Sequence, residues 1–328
     1  MSSKCARGPM TVNSLDYYMQ HYVFPVQIIG FFVLAFMVLY NVFQGRTKHV
    51  AQVSLCVLAV VDILIFGCLM PQSMGSFKFL YENEDFRRFN QMSKIRFYAF
   101  SNQLSAVDTS IFMLIIIEIY LRAKNSSLTK VLFGGKSVWL CLGVGILGAL
   151  LCSSFHHFSY STKIWFNCSD ENGENSKMFS KLMMNPEYMT RELFIWLHMG
   201  SALFLIFIPT IIIYYLTRKV IVMLKEGKGG DPTNEAMELF SSSEGLSQQR
   251  RKITIYLPAV AHCFALTHIL SIVPFAWDIF LFKIIGFTGY SVTISIMNSL
   301  LIAGKIANFG LLYLSCVEMG RNGLLTSF

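Results

Sequence analysis

Seven stretches of about twenty or more mostly apolar residues recur along the 328-residue chain. A helix that crosses a bilayer needs about 20 such residues, because every backbone amide must find its hydrogen-bond partner within the segment once water is absent. With 54% hydrophobic and only 14% charged residues, the chain carries too little polar surface to coat a soluble globule. The sequence therefore predicts an all-α integral membrane protein, a seven-transmembrane helix bundle, with windows at 23–43, 50–77, 90–120, 137–157, 193–217, 253–280 and 287–314.

The third window differs from the others because its outer half is polar. Ser101, Asn102, Ser105 and Asp108 all fall within it. The polar side chains of such a helix find hydrogen-bond partners only when other helices surround it, so that these side chains face a cavity or one another. We therefore expect the third helix to be the most buried of the seven.

The predicted organisation is one domain with the N terminus outside the cell. It consists of an extracellular segment 1–22, a transmembrane domain 23–315 with a cytoplasmic loop 218–252, and a short cytoplasmic tail 316–328. In this orientation the inner segments carry 14 Lys and Arg residues and the outer segments 12, and the positive-inside rule favours the orientation by that margin. The expected surroundings are the lipid bilayer of the plasma membrane. The net charge of +8 predicts no nucleic-acid partner, because no basic stripe interleaves with aromatic residues.

Two glycosylation sequons begin at Asn167 and Asn125, in loops on opposite sides of the predicted bundle. With the N terminus outside, Asn167 is the candidate for glycosylation. Cys168 and Cys5 lie outside the apolar windows on the oxidising side, so they are candidates for a disulfide. Cys316 follows the seventh window and is placed for S-palmitoylation.

Residues at matching depths in the windows form a more specific pattern. The second window carries LAVVD, ending at Asp62, and the fourth, fifth and sixth carry Trp139, Pro209 and Pro274. The seventh carries Asn308 within NFGLLY. This set resembles the class A (rhodopsin-like) G-protein-coupled receptors, over about 290 residues of the chain. Its departures from the common pattern resemble those of divergent invertebrate, particularly nematode, peptide and chemosensory receptors.

Three ionisable residues, Asp62, Asp108 and Lys305, fall inside the apolar windows, where an unpaired charge costs several kcal/mol. In the resembling family the aspartate of the second helix binds a sodium ion. Counted from Glu118 and Asn308, Asp108 and Lys305 occupy the positions that help to hold that ion. The resemblance therefore implies that the Lys305 ammonium replaces the sodium ion between two carboxylates. A purely structural role, an activation hinge and a transport proton relay are the open alternatives.

The resemblance also implies an outer ligand site and an inner face for a heterotrimeric G protein. At the inner end of the third helix, Glu118-Ile119-Tyr120 stands where the family has an acidic residue, arginine and tyrosine, and Arg122 is the nearest arginine. His262 and His268 are expected to be packing residues. The candidates for contact with a peptide or small polar ligand are Ser101, Asn102, Ser105, Phe275, Trp277, Asp278 and Asn298. The candidates for the G-protein face are Glu118, Tyr120, Arg122, Arg218, Arg250 and Arg251.

The sequence contains no pattern that indicates catalysis. No spacing of metal ligands and no nucleophile–base pair at a common depth occurs in the windows. The sequence therefore predicts no cofactor, no metal ion and no enzymatic activity. A small-solute or proton-coupled transporter that uses the buried Asp and Lys residues is the alternative to a receptor, although the windows show no inverted repeat of the kind carriers have.

Overall fold

The computed structural model of the protein describes residues 14–44, 51–124, 126–167, 177–184, 190–226, 244–276 and 282–320. For several of these segments, among them 160–167, 177–184, 244–250, 273–276 and 282–292, it describes the backbone alone. Seven helices within this part are each long and apolar enough to cross a membrane, so the prediction of seven such helices is confirmed. They are α1 (Ser14–Phe43), α2 (Gln52–Met74), α3 (Glu84–Ala123), α4 (Ser137–Ser153), α5 (Arg191–Ala202 continuing through Leu203–Phe207 into Ile208–Glu226), α6 (Glu244–Ala276) and α7 (Phe282–Gly320).

Helix α3 is the central element of the bundle. It begins at an N-cap formed by Asn83, whose side chain accepts a hydrogen bond from the Phe86 amide at 3.0 Å. Of its most apolar 18-residue stretch, 67% is buried within the protein, against 44% for α2 and 11% for α5. The expectation that the third helix is the most buried of the seven is confirmed. Its polar residues therefore face other helices and not lipid.

Helix α1 begins at Ser14, so it extends into the segment predicted to precede the first span. A π-helical turn, Met19–Val23, lies within it and changes the register of the side chains that follow. The hydroxyl of Ser73 in α2 donates a 2.7 Å hydrogen bond to the carbonyl oxygen of Gln20 in this turn. A π turn leaves a carbonyl without its usual helical partner, and a neighbouring helix supplies the donor here.

Between α4 and α5 the chain forms a two-stranded antiparallel hairpin. Strand β1 (Tyr160–Asn167) pairs with β2 (Lys177–Met184), so that Tyr160 lies opposite Met184 and Asn167 lies opposite Lys177. A hairpin satisfies half of each strand's backbone groups within the pair and leaves two edges. The membrane-spanning part of the structure is entirely helical, as predicted.

Aromatic side chains fill the centre of the bundle, and apolar side chains also cover its outside. The Phe31 ring of α1 stacks on Phe66 of α2 with centroids 4.2 Å apart and meets Phe309 of α7 edge-on at 5.7 Å. On the outer surface of α4, Trp139 and Leu140 are exposed. A surface as apolar as the interior fits a lipid surrounding, where exposed hydrophobic side chains carry no penalty.

Candidate functional site: a buried charge cluster

The structure brings Asp62, Asp108 and Lys305 together inside the bundle. Lys305 Nζ donates a hydrogen bond to Asp108 Oδ2 and lies 3.9 Å from Asp62 Oδ1. Both aspartates are buried, with 2% of Asp62 and 7% of Asp108 exposed. Because α2, α3 and α7 each contribute one member, the cluster joins three helices through charges that water does not screen.

Lys305 does not offset the negative charges of the two aspartates equally. Two ionised carboxylates and one ammonium would leave one excess negative charge, and the carboxylates repel each other. Unit charges about 4 Å apart interact by about 4 kcal/mol at an effective dielectric constant of about 20. Lys305 therefore attracts both acids, but its hydrogen bond goes to Asp108. Among the described residues, Asp62 Oδ1 has no hydrogen-bond partner.

A small cavity adjoins the cluster. Its volume of about 10 Å³ is close to the space that one water molecule needs. Polar groups and aromatic rings share its wall, so it is a small cavity of mixed polar and apolar lining. The lining residues are Leu58, Asp62, Asp108, Phe112, Phe264, His268, Lys305, Asn308 and Phe309.

His268 of α6 belongs to the same group of polar residues, which the sequence argument did not foresee. Its Nδ1 lies 2.9 Å from the Phe264 carbonyl oxygen, and its Nε2 lies 3.0 Å from Thr109 Oγ1 of α3. With Nδ1 donating to the carbonyl, Nε2 of a neutral ring is an acceptor for the Thr109 hydroxyl, whose proton it shares with the Ser105 carbonyl oxygen 3.0 Å from Thr109 Oγ1. The polar group of the bundle thus extends from α2, α3 and α7 to α6.

Helices α6 and α7 approach each other closely beside the cluster. A Cβ atom added at Gly304 would lie 2.2 Å from Thr267 Oγ1 and 2.9 Å from its Cγ2. One turn along α7, Asn308 Nδ2 donates to the same Thr267 hydroxyl at 3.4 Å. Asn308 Oδ1 is buried and has no partner within the described part of the chain. Glycine at position 304 is what permits this approach and places Asn308 against α6.

At the C-terminal end of α3, the Glu118 carboxylate holds Arg122. Arg122 Nε and Nη2 donate to Glu118 Oε1 at 3.0 and 2.6 Å, one helical turn apart on the same helix. Glu118 is buried and adjoins the backbone of Ala51, the first residue before α2. A carboxylate at a helix N terminus is stabilised by the helix dipole. Arg122, the predicted substitute for the family's arginine, is therefore held along α3 in this conformation.

A second ion pair closes the same end between α6 and α7. Lys252 Nζ lies 3.2 Å from Glu318 Oε1. Of the other predicted residues of the inner face, Arg218 and Arg251 are exposed and Tyr120 is half-buried. Arg250 lies in the part of α6 described by its backbone alone. The structure thus pairs α6 with α7 where the sequence argument looked for contacts with a partner protein.

The candidate ligand residues fall on three helices. Ser101, Asn102 and Ser105 follow one another along α3 and are half-buried, and Asn298 of α7 is half-buried as well. Phe275 lies in α6, where only the backbone is described, and Trp277 and Asp278 lie outside the described residues. The structure therefore leaves a shared ligand site of these residues as a prediction.

A further buried acid, Asp16 of α1, was missed because it precedes the first apolar window. Its Oδ1 accepts hydrogen bonds from Ser295 of α7 at 2.7 Å and from Gln20 at 2.9 Å, and the charge of Lys94 in α3 acts on it. Helix α7 thus meets buried acids at two places: Asp16 through Ser295, and the two aspartates of the cluster through Lys305. The residues around Asp16 mix polar and apolar types, so they did not fall within an apolar window.

The remaining sequence predictions have mixed outcomes. Cys5 and Cys168 lie outside the described residues, and Asn167 is the last residue of β1, described by its backbone alone. Cys316 is fully buried within α7, which continues to Gly320, so its expected palmitoylation is wrong: the sulfur faces the bundle and not the lipid. Within the described ranges no group of three or more His, Cys, Asp or Glu residues is placed to hold a metal ion.

Comparison of the sequence with known families and with curated proteins gave no match to any family model or to any curated protein. The functional argument therefore depends on the residues themselves.

Proposed function

We propose that the chain is a cell-surface receptor: it binds an extracellular peptide or small polar ligand and signals through movement of α6 to a cytoplasmic heterotrimeric G protein. In this proposal the N terminus is outside and the protein resides in the plasma membrane. The observation that carries it is the Asp62–Asp108–Lys305 cluster at the junction of α2, α3 and α7. In this proposal the Lys305 ammonium changes its partner from Asp108 to the incompletely paired Asp62, and the two pairings correspond to two arrangements of the bundle.

Contacts of α6 support the proposed movement. On one side α6 meets α3 through Phe264 stacked on Phe112 at 4.6 Å and through the His268–Thr109 contact. At the inner end α6 meets α7 through the Lys252–Glu318 pair, which is partly open to solvent. Ion pairs of this exposure are worth at most about 1 kcal/mol and are readily broken. The inner end of α6 is therefore easier to displace than its centre.

The test is a G-protein dissociation assay in cells that express the chain, run without ligand and with pools of peptides. Lys305→Ala and Asp62→Asn should abolish or strongly shift a ligand-evoked signal, because each changes the charge balance of the cluster. Lys78→Ala is the matched control, since Lys78 is exposed and forms an ion pair with the exposed Glu82, four residues later in the chain, at 3.8 Å. A signal of equal size and sensitivity in all four proteins would contradict the role of the cluster.

A proton-coupled transporter is the second candidate, and the cavity beside the cluster favours it. Asp62, Asp108, His268 and Lys305 all line that cavity, which is the arrangement a proton relay requires. Substrate counterflow and proton uptake in liposomes discriminate between the two functions. Uptake that Asp62→Asn abolishes, in the absence of any G-protein response, would replace the receptor by the transporter.

A further inference from the structure

We propose that Asp62 is a proton-binding site and holds a proton in this conformation, while Asp108 is the ionised partner of Lys305. The inference concerns the chemistry of the cluster and holds for a receptor and for a transporter alike. It assigns different roles to two carboxylates that the sequence does not distinguish.

Hydrogen bonding separates the two acids. The Lys305 ammonium donates to Asp108 Oδ2, whereas it lies 3.9 Å from Asp62 Oδ1, beyond hydrogen-bonding distance. Asp62 Oδ1 is buried without a partner among the described residues. A buried ionised carboxylate that accepts no hydrogen bond is unstable beside a second negative charge, and binding a proton removes both penalties.

The surroundings of Asp62 offer an acceptor for that proton. Asn308 Oδ1 is also buried without a partner in the described part of the protein, and it lines the same cavity as Asp62. A carboxylate oxygen and an amide oxygen are both acceptors, so they form no hydrogen bond with each other. A protonated Asp62 can donate to the Asn308 oxygen, directly or through one water molecule, and this satisfies both groups. A single proton on Asp62 thus accounts for both orphaned atoms.

The other titratable groups around Asp62 are consistent with one bound proton. The cavity receives Asp108 from α3, His268 from α6 and Lys305 from α7, and among the residues that the structure describes no other titratable side chain lines it. A neutral His268, an ammonium on Lys305 and a carboxylate on Asp108 sum to zero once Asp62 is neutral. Displacement of the Lys305 ammonium from Asp108 toward Asp62 would require Asp62 to lose its proton, so motion of α7 against α3 is coupled to proton release.

Infrared spectroscopy of the purified protein, in a detergent without ester groups, tests the assignment. The wild type should show the C=O stretching band of a protonated carboxylic acid at neutral pH, where surface carboxylates are ionised. Asp62→Asn should lose the intensity of one acid, and Asp62→Glu should keep the band at a shifted frequency. Lys305→Met should gain intensity, because Asp108 then loses its cation and also binds a proton.

Asp85→Asn is the control, since Asp85 is an exposed aspartate at the start of α3, and its spectrum should match the wild type in this region. Circular dichroism establishes that each variant is folded, and the Asp62→Glu shift decides the question if Asp62→Asn does not fold. A band of unchanged intensity in Asp62→Asn and of unchanged frequency in Asp62→Glu would overturn the proposal. The experiment needs no ligand, so a failed receptor assay has no bearing on its outcome.

Discussion

At the scale of single residues, Lys305 interacts with several buried titratable side chains at once. Its ammonium pairs with Asp108, faces Asp62 and acts on His268 across the cavity. A buried ion pair is weak evidence for stability when both partners are present, because desolvation offsets attraction. The loss of one partner is costly, since it leaves the other buried and unpaired. The stability of the bundle should therefore be more sensitive to changes at Lys305 than to changes at any exposed lysine.

Lys305→Met keeps the length of the side chain and removes its charge. We expect the free energy of unfolding to fall by about 3–5 kcal/mol, because Asp108 is left without its cation. Thermal unfolding in detergent measures the change, with Lys78→Met as the exposed control, expected to lie within about 0.5 kcal/mol of the wild type. Lys305→Met/Asp108→Asn should recover part of the loss. A double variant no more stable than Lys305→Met alone would show that the pair does not explain the effect.

At the scale of elements, the junction between α6 and α7 is set by one glycine. Gly304 lies against Thr267, and the Cys263 thiol also contacts the Gly304 carbonyl oxygen at 3.8 Å. Together with the Asn308–Thr267 bond and the Lys252–Glu318 pair, these contacts tie the two helices at several levels. We therefore expect α6 and α7 to remain together at their centres, whereas the ends joined by the partly exposed Lys252–Glu318 pair separate more easily.

Gly304→Ala should destabilise the protein by about 1–3 kcal/mol, because the new methyl group overlaps the Thr267 side chain. Thr267→Ala removes the overlapping atoms, so Gly304→Ala/Thr267→Ala should be more stable than Gly304→Ala alone. Gly148→Ala is the matched control on the exposed side of α4, where an added Cβ meets nothing within 4 Å. Unfolding midpoints of the four proteins decide the matter, and equal effects of the two glycine substitutions would refute the close approach.

The sequence predicted the helices well because the cost of unsatisfied backbone in lipid demands long apolar runs. It placed Asp62, Asp108 and Lys305 in one cluster because an unpaired charge inside such a run is costly and because the family resemblance implied matching positions. It missed Asp16, since the first turns of α1 mix polar and apolar residues and precede the first apolar window. It took His268 for a packing residue. The polar role of His268 depends on its contact with Thr109, which lies 159 positions away in the chain, and sequence alone does not show that contact.

At the scale of the whole molecule, seven spans have a topological consequence. An odd number of crossings places the two ends of the chain on opposite sides of the membrane. Between the sequons at Asn125 and Asn167 the described residues contain one helix of membrane-spanning length, α4, so the two sequons too fall on opposite sides. Only the sequon on the outer side can receive a glycan.

We predict that Asn167 is glycosylated and Asn125 is not. Asn167→Gln should therefore increase the electrophoretic mobility of the protein from eukaryotic cells to that of the glycosidase-treated wild type. Asn125→Gln should migrate as the wild type does, which makes it the matched control. The reverse result would place the N terminus inside the cell and would invert the proposed ligand and G-protein faces.

The length of α3 has a consequence for how a ligand could act. Its 40 residues extend over about 60 Å, roughly twice the hydrocarbon thickness of a bilayer. One end of this rod must stand in water, while Asp108 and Glu118 lie further along the same rigid body. A water-soluble molecule that binds the emergent end and tilts α3 would therefore displace both acids at once, without entering the bundle.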